Sequence, residues 1–382
     1  MKVLHVTPSY YPATHYGGPI FSTFALCNAL VRIPGVELRV LTCDMAGPEL
    51  SQRVPFDTIP VRFDEGYDVY FTKRIMLPDI APGLLTRLWA LAGWADVVIL
   101  TGTYSFPTLP ALLVCKVRGK PLVWSPRGAL QASHEWSGAR RQGLKRIWER
   151  ACSLLRPRHS TLHVTAEVEK KASLARLPGF TADIIRNAVE LPPALPPRTW
   201  KPGGTLRLMF ISRVDPKKGL EILLQAMPQL SPDTTLDIFG RGEPAYVASL
   251  KHLAEQLDLA ERVHFRGHVD GEAKRAAFTG ADLFVFATHS ENFGMVVAEA
   301  LAHGVPAIVS HGAPWPDLDT KGCGRWVPAA PQAFAAAIED MRDKDLAGMG
   351  ENGRRWMETD FSWESRASQM HALFERLIRE AA

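Results

Sequence analysis

The sequence predicts two α/β domains, each a parallel sheet with helices on both faces. Short continuous apolar runs alternate with helical periodicity along the whole chain. The alternation breaks once, at a proline- and glycine-rich stretch over 191–204, and then starts again. At 382 residues the chain is too long for one ordinary domain and suits two of roughly 180 each.

Composition narrows the class. Apolar content of 46% against 22% charged residues is that of a soluble globular protein. No apolar run reaches the ~20 residues of a transmembrane helix. The start, Met1-Lys2-Val3-Leu4, reads as a strand rather than a signal peptide, so a cytoplasmic location is expected. The five cysteines are scattered and never form C-x-x-C, which suggests core packing rather than disulfides or zinc. A net charge of +4 is too mild to imply nucleic acid.

In the first half, Val3–Pro8 is a buried strand followed by a loop with the pair Gly17-Gly18, then a helix ending near Arg32. A glycine pair between strand and helix permits close approach of a ligand to backbone, or is an ordinary loop. Strands follow at Leu38–Cys43, Val97–Leu100, Leu122–Ser125 and Leu162–Thr165, with helices between them. No G-x-G-x-x-G follows the first strand, which counts against a dinucleotide enzyme. Between Arg127 and Arg158 stand eight cations and two acids, Glu135 and Glu149. Leu144, Ile147, Trp148, Ala151, Leu154 and Leu155 fall there at helical spacing, predicting a basic helix with one apolar face. Its basic face is either solvated or drawn to anionic lipid or a lipid-diphosphate, with Trp136 suited to the interface.

Leu191–Gly204 holds five prolines and two glycines and is expected to link domains 1–190 and 205–358. Strands return at Leu206–Ile211, Leu236–Phe239, Val263–Phe265, Leu283–Ala287 and Ala307–Val309. A last helix, introduced by Phe361-Ser362-Trp363, runs to about Arg379 with Met370, Leu373, Phe374 and Ile378 on one face.

The chemistry concentrates at strand ends of the second half. Arg213 ends a strand and Lys218-Gly219 opens the next helix, delivering two cations to one sheet edge; they are solvated or bind a diphosphate. Gly240 and Gly242 follow another strand and again permit close approach. The stretch Asp282–Ser310 then reads strand, polar turn, helix, strand, which sets a helix N-terminus at the carboxyl edge of a sheet, where anions bind open α/β folds. Glu291 lies in that turn and Glu299 eight residues on. A carboxylate there would repel a phosphate, so its partners are hydroxyls of a sugar or ribose, unless Glu291 merely caps the helix and Glu299 is solvated.

Glu291-Asn292-Phe293-Gly294, the second acid at 299 and the following Gly-Val-Pro strongly resemble the E-x7-E segment of retaining GT-B glycosyltransferases of glycosyltransferase family 4. Arg213 and Lys218-Gly219 resemble that family's second motif, and the likeness covers nearly the whole chain. The resemblance implies a GT-B fold, two Rossmann-like domains facing a cleft, with the last helix (359–382) packed on the first domain. It implies a metal-independent hexosyl transfer from a nucleotide diphosphate sugar, UDP- or GDP-linked, to a saccharide or polyprenyl-diphosphate-linked acceptor in surface polysaccharide assembly, with no cofactor. Glu291, Arg213 and Lys218 would be catalytic. Donor-binding roles are implied for Gly17, Gly18, Gly240, Gly242, Arg266, Gly267, His268, Asn292, Phe293, Gly294, Met295, Val296 and Glu299. Ser125-Pro126-Arg127-Gly128-Ala129-Leu130 stands where many relatives place a histidine, and resembles the R-G-M-L form of polysaccharide-assembling members; Arg127 and Gly128 are therefore acceptor-side candidates. Asp317-Leu318-Asp319 lies in a proline-rich loop and is read as a loop, not a metal site. A sugar-nucleotide epimerase, a phosphorylase or a non-catalytic nucleotide-sugar-binding protein of this fold are the alternatives.

Overall fold

A computed structural model describes residues 1–76, 79–131 and 142–382. The chain divides into two compact units, Met1–Asn187 with Trp363–Ala382, and Ala188–Ser362. Each is an α/β sandwich around a mainly parallel sheet.

In the first unit the strands are β1 (Lys2–Val6), β2 (Glu37–Cys43), β3 (Val61–Arg62), β4 (Asp68–Thr72), β5 (Val97–Thr101), β6 (Leu122–Ser125), β7 (Ser160–Val164) and β8 (Thr181–Ile184). Their order is β3-β4-β2-β1-β5-β6-β7-β8, parallel except for β3 against β4. The central strands β1, β5, β6 and β7 are buried on both faces, which is why they read as unbroken apolar runs. Helices α1 (Gly18–Val31), α2 (Gly83–Trp94), α3 (Thr108–Arg118), α4 (Gln142–Leu154) and α5 (Glu167–Arg176) connect them. Leu84, Leu88, Leu112, Cys115 and Cys152 of α2, α3 and α4 share one core with one face of the sheet. The other face packs on Leu26 and Leu30 of α1 and on Met370, Phe374 and Leu377 of the chain's last helix.

The second unit has β9 (Leu206–Ile211), β10 (Thr234–Phe239), β11 (Val263–Gly267), β12 (Leu283–Phe286), β13 (Ala307–Ser310) and β14 (Gly324–Val327), all parallel in the order β11-β10-β9-β12-β13-β14. Its helices are α6 (Leu220–Ala226), α7 (Pro244–Gln256), α8 (Gly271–Gly280), α9 (Met295–Ala302), α10 (Pro331–Arg342) and α11 (Leu346–Asp360); α12 (Trp363–Ala381) then belongs to the first unit. The order reverses between β9 and β12, so the crevice outside their carboxyl ends is the position where such sheets bind ligands.

Two expectations change. The 191–204 stretch is irregular yet not a free linker, because the Arg198 guanidinium donates to the carbonyls of Phe278, Ala281, His303 and Gly304 at 3.1–3.3 Å. Proline forbids regular hydrogen bonding but not packing, so the segment belongs to the second unit. The apolar stripe of α4 is also split. Trp148 and Leu155 pack inward, while Leu144, Ile147 and Leu154 are exposed. Trp136, Arg140 and Arg141 lie outside the described residues.

Candidate active site

The loops that leave β9 and β12 are stitched together before any side chain is considered. The Lys217 carbonyl accepts from His289 N–H at 2.8 Å and from Thr288 Oγ1 at 3.0 Å. A side chain at Gly219, whose φ is +65°, would meet the Ala287 carbonyl oxygen at 2.3 Å, so only glycine lets the two loops come so close. Asp215 accepts from Lys217 N–H at 3.0 Å and fixes the short helical turn Pro216–Lys218. This scaffold aims Lys218 across the gap, where its Nζ is ion-paired and hydrogen-bonded to Glu291 Oε1. Both side chains are mostly buried, and the ammonium also lies 5.4 Å from the Phe286 ring centre.

Glu291 is held by its backbone, its N–H donating to the Gly312 carbonyl at 2.7 Å. Gly294, with φ of +80°, turns the chain into α9 directly behind it. Phe293 is buried against Trp315, whose Nε1 donates to the Phe293 carbonyl at 2.6 Å, so Phe293 shapes the turn through packing. Asn292, Met295, Val296 and Glu299 are each partly exposed around this turn and helix. Glu299 forms a separate ion pair with Lys274 of α8 at 2.8 Å. The two acids of the spaced pair therefore each hold their own cation. Lys274 escaped the sequence reading because a lysine on an amphipathic helix carries no motif.

Arg213 is exposed and makes no ion pair or hydrogen bond among the described residues. Gly240 and Gly242 do permit close approach, but of the neighbouring loop. A Cβ at Gly240 would meet the Ser212 carbonyl oxygen at 1.8 Å, and one at Gly242 that of Val214 at 2.1 Å. Arg266 is bound at 2.7 Å to Asp237 of the adjacent strand, while Gly267 (φ +75°) and His268 are exposed at the end of β11. Asp319 accepts from Trp326 N–H at 3.0 Å, and Asp317 sits in a short turn.

In the first unit Gly17 (φ +68°) caps α1, which begins at Gly18. Arg127 and Gly128, after β6, both have left-handed backbone, with φ of 55° and 79°. For arginine this conformation is uncommon and needs support from its surroundings. The support comes from Glu169 of α5, which is buried. Its carboxylate accepts from Gly128 N–H at 2.6 Å, Thr165 N–H at 2.7 Å and Thr165 Oγ1 at 2.9 Å. The Arg127 fork donates to Asn187 Oδ1 at 2.9 Å and Thr23 Oγ1 at 3.4 Å. Burial pulls its pKa down and the Glu169 charge opposes that. Glu169 was not singled out by the sequence.

Two buried histidines stand close by. His5 bridges Cys27 Sγ at 3.2 Å and Thr101 Oγ1 at 2.9 Å. His163 donates from Nε2 to the Ile185 carbonyl at 3.0 Å and accepts from Ser125 Oγ at 2.7 Å. Burial, and then the Arg127 charge, lowers both from 6.5 to about 3. Between those values the unfolded chain holds protons that the folded unit refuses, so stability is full above pH 6.5 and falls as pH drops toward 3. His163→Gln, which keeps the donor to Ile185, is expected to flatten this acid slope of the thermal midpoint. An unchanged slope would show that His163 is not among the groups taking up protons.

Comparison with known proteins places these features. Residues 195–356 match the family model described as "Glycosyl transferases group 1". A GDP-mannose-dependent alpha-(1-6)-phosphatidylinositol monomannoside mannosyltransferase of Mycolicibacterium smegmatis is 34% identical over 182 residues, 44% of this chain and 47% of that protein. A D-inositol 3-phosphate glycosyltransferase of Corynebacterium glutamicum is 30% identical over 180 residues, 44% of this chain and 43% of its own length. The chain thus spans less than half of the curated relatives it matches. Among solved structures, sucrose-phosphate synthase of Thermosynechococcus elongatus superposes with a TM-score of 0.75 at 20% identity over 100% of both chains. Anabaena HepE, solved with UDP-glucose, gives 0.68 at 19% identity over 98% of this chain and 100% of its own. Residues 195–356, which match the glycosyl transferases group 1 model, thus carry the Lys218–Glu291 pair, in a chain whose two Rossmann-like sheets have the GT-B fold.

Proposed function

We propose that this chain moves a sugar from a nucleoside diphosphate sugar to a saccharide or lipid-linked saccharide acceptor, with retention at the anomeric carbon and without a metal. The observation that carries the reading is the Lys218–Glu291 pair at the adjoining ends of β9 and β12, beside the start of α9 and inside the matched domain. Without donor the two charges neutralise each other. A diphosphate drawing Lys218 and Arg213 to itself frees the Glu291 carboxylate to accept from sugar hydroxyls, while Glu299 accepts from the ribose. The bond from anomeric carbon to diphosphate oxygen breaks as the acceptor oxygen bonds the same carbon. The acceptor proton passes to the departing phosphate, so no protein base is required. Negative charge grows on that phosphate, where Lys218 and the N–H groups of the α9 terminus are fixed in advance and Arg213 adds a second cation.

A GDP-mannose-dependent relative that acts on a phosphatidylinositol mannoside, and a structural neighbour solved with UDP-glucose, favour a GDP- or UDP-linked donor and an acceptor carried on lipid, in keeping with the Arg127-Gly128 form of the first unit. Surface polysaccharide assembly at the inner face of the cell membrane is the setting this suggests. Among the described residues no helix is long and apolar enough to cross a membrane.

The test is the thermal midpoint in EDTA against UDP, GDP, ADP and their sugar conjugates. A ligand at about a hundred times its dissociation constant adds about 2.7 kcal/mol, a rise of several degrees for a domain of this size. A rise with one base names the donor class. No rise with any of them, with or without Mg2+ or Mn2+, sinks the reading.

A further inference from the structure

We propose that the outer face of the layer formed by α2, α3 and α4 seats this chain on an anionic lipid bilayer. The proposal does not depend on sugar transfer, because it concerns helices of the first unit alone and is read by binding.

The starting point is the split apolar stripe of α4. An amphipathic helix on a soluble domain normally turns its apolar stripe to the core. Here part of the stripe does so, Trp148, Cys152 and Leu155 turning inward beside Glu149, with Glu149 bonding Arg176 at 3.1 Å and Tyr104, and Trp148 Nε1 donating to the Thr103 carbonyl at 2.8 Å. The outward stripe is Leu144, Ile147 and Leu154, exposed to 65%, 62% and 75%. Arg146 and Arg150 flank it and are exposed.

The neighbouring helices continue the surface. Lys116 of α3 donates to the Leu154 carbonyl at 2.6 Å, tying α3 to the end of α4, and α3 exposes Leu113 and Val117 one turn apart. On α2, Trp89 is exposed with the Arg118 guanidinium 4.1 Å over its ring. Glu149 is the one acid in the sequences of these three helices, and it is buried against Arg176. The outer face therefore combines large apolar side chains with cations and presents no acid of its own helices.

That combination selects its occupant. Water disfavours so much grouped apolar surface. A second copy of this chain would bring cations against cations. A nucleic acid would use the cations and leave the leucines and isoleucine without partners. An anionic bilayer meets both, with headgroups taking the cations and the acyl boundary taking the apolar side chains and the Trp89 ring.

The experiment is co-sedimentation of the full chain with vesicles of phosphatidylcholine containing roughly one-third phosphatidylglycerol, beside vesicles of phosphatidylcholine alone. The chain is expected to pellet with the anionic vesicles only and to be released by high salt. The double variant L144E/I147E should weaken partitioning about tenfold or more while its thermal midpoint stays put, since both residues are exposed. A chain left in the supernatant with anionic vesicles overturns the proposal, and so does a variant that partitions like the parent. Two other results also overturn it. One is a dimer in solution that L144E/I147E dissolves, which makes the face a self-association surface. The other is salt-sensitive binding to duplex DNA that R146Q/R150Q abolishes and L144E/I147E leaves intact. The nucleotide thermal scan is unaffected by any of these outcomes, so the two readings fail separately.

Discussion

Replacing Lys218 with alanine is expected to lower the rate of nucleoside diphosphate release in the transfer reaction by about a hundred- to a thousandfold, the loss seen when one preorganised charge is removed from a developing anion. Three features lead there. The ammonium is fixed by the stitched loops, it reaches the end of β12, and it lies beside the start of α9. Glu291→Ala should cost a comparable factor for a different reason, the lost orientation of the donor sugar. A purely structural pair predicts something else. Removing both partners would then restore stability and leave the rate alone, because neither charge is stranded in the double variant. Under the proposed roles the double variant regains stability and remains as slow as the slower single one, since groups acting on one transition state are not additive. Rates are measured with the donor base found in the thermal scan, and melts are recorded beside them. A Lys218→Ala protein that transfers at the parental rate would remove Lys218 from the mechanism.

The sequence showed the buried strands because a strand covered on both faces must be apolar throughout, as Leu283–Phe286 and Val97–Thr101 are. It did not show β3, β4, β8 or β14. These include edge strands of two to five residues with mixed burial, whose composition differs little from that of a loop. Lys218 and Glu291 were legible because residue type, spacing and a strand end coincide at each. Lys274 and Glu169 were not, since each acts on a partner brought near by the fold alone. Gly240 and Gly242 show a subtler limit. Sequence reveals that backbone must pass closely there, and the structure identifies Ser212 and Val214 as what passes. The direction in which α4 faces was equally hidden, because helical spacing groups Leu144 with Ile147 without saying which side meets the core.

Glu169→Ala is expected to destabilise the first unit by about 3–5 kcal/mol, lowering its thermal midpoint by on the order of ten degrees. The carboxylate satisfies two backbone N–H groups, those of Gly128 and Thr165, and one hydroxyl; alanine would strand these donors where the Glu169 side chain is buried. It also supplies the negative charge that opposes the burial of Arg127. Losing it leaves a buried guanidinium with Asn187 and Thr23 as neutral partners and a left-handed backbone whose tether at Gly128 is gone. Glu169→Gln tests the same point without a cavity. Its Nε2 would have to face either the Gly128 N–H or the Thr165 pair, donor against donor, so it should recover only part of the loss. If the loop is a positioning device for acceptor binding, Glu169→Gln at a temperature where it stays folded should raise KM for acceptor while the donor-induced thermal shift is kept. A glutamine variant as stable as the parent, with unchanged KM, would mean that Arg127 and Gly128 hold their conformation without the carboxylate.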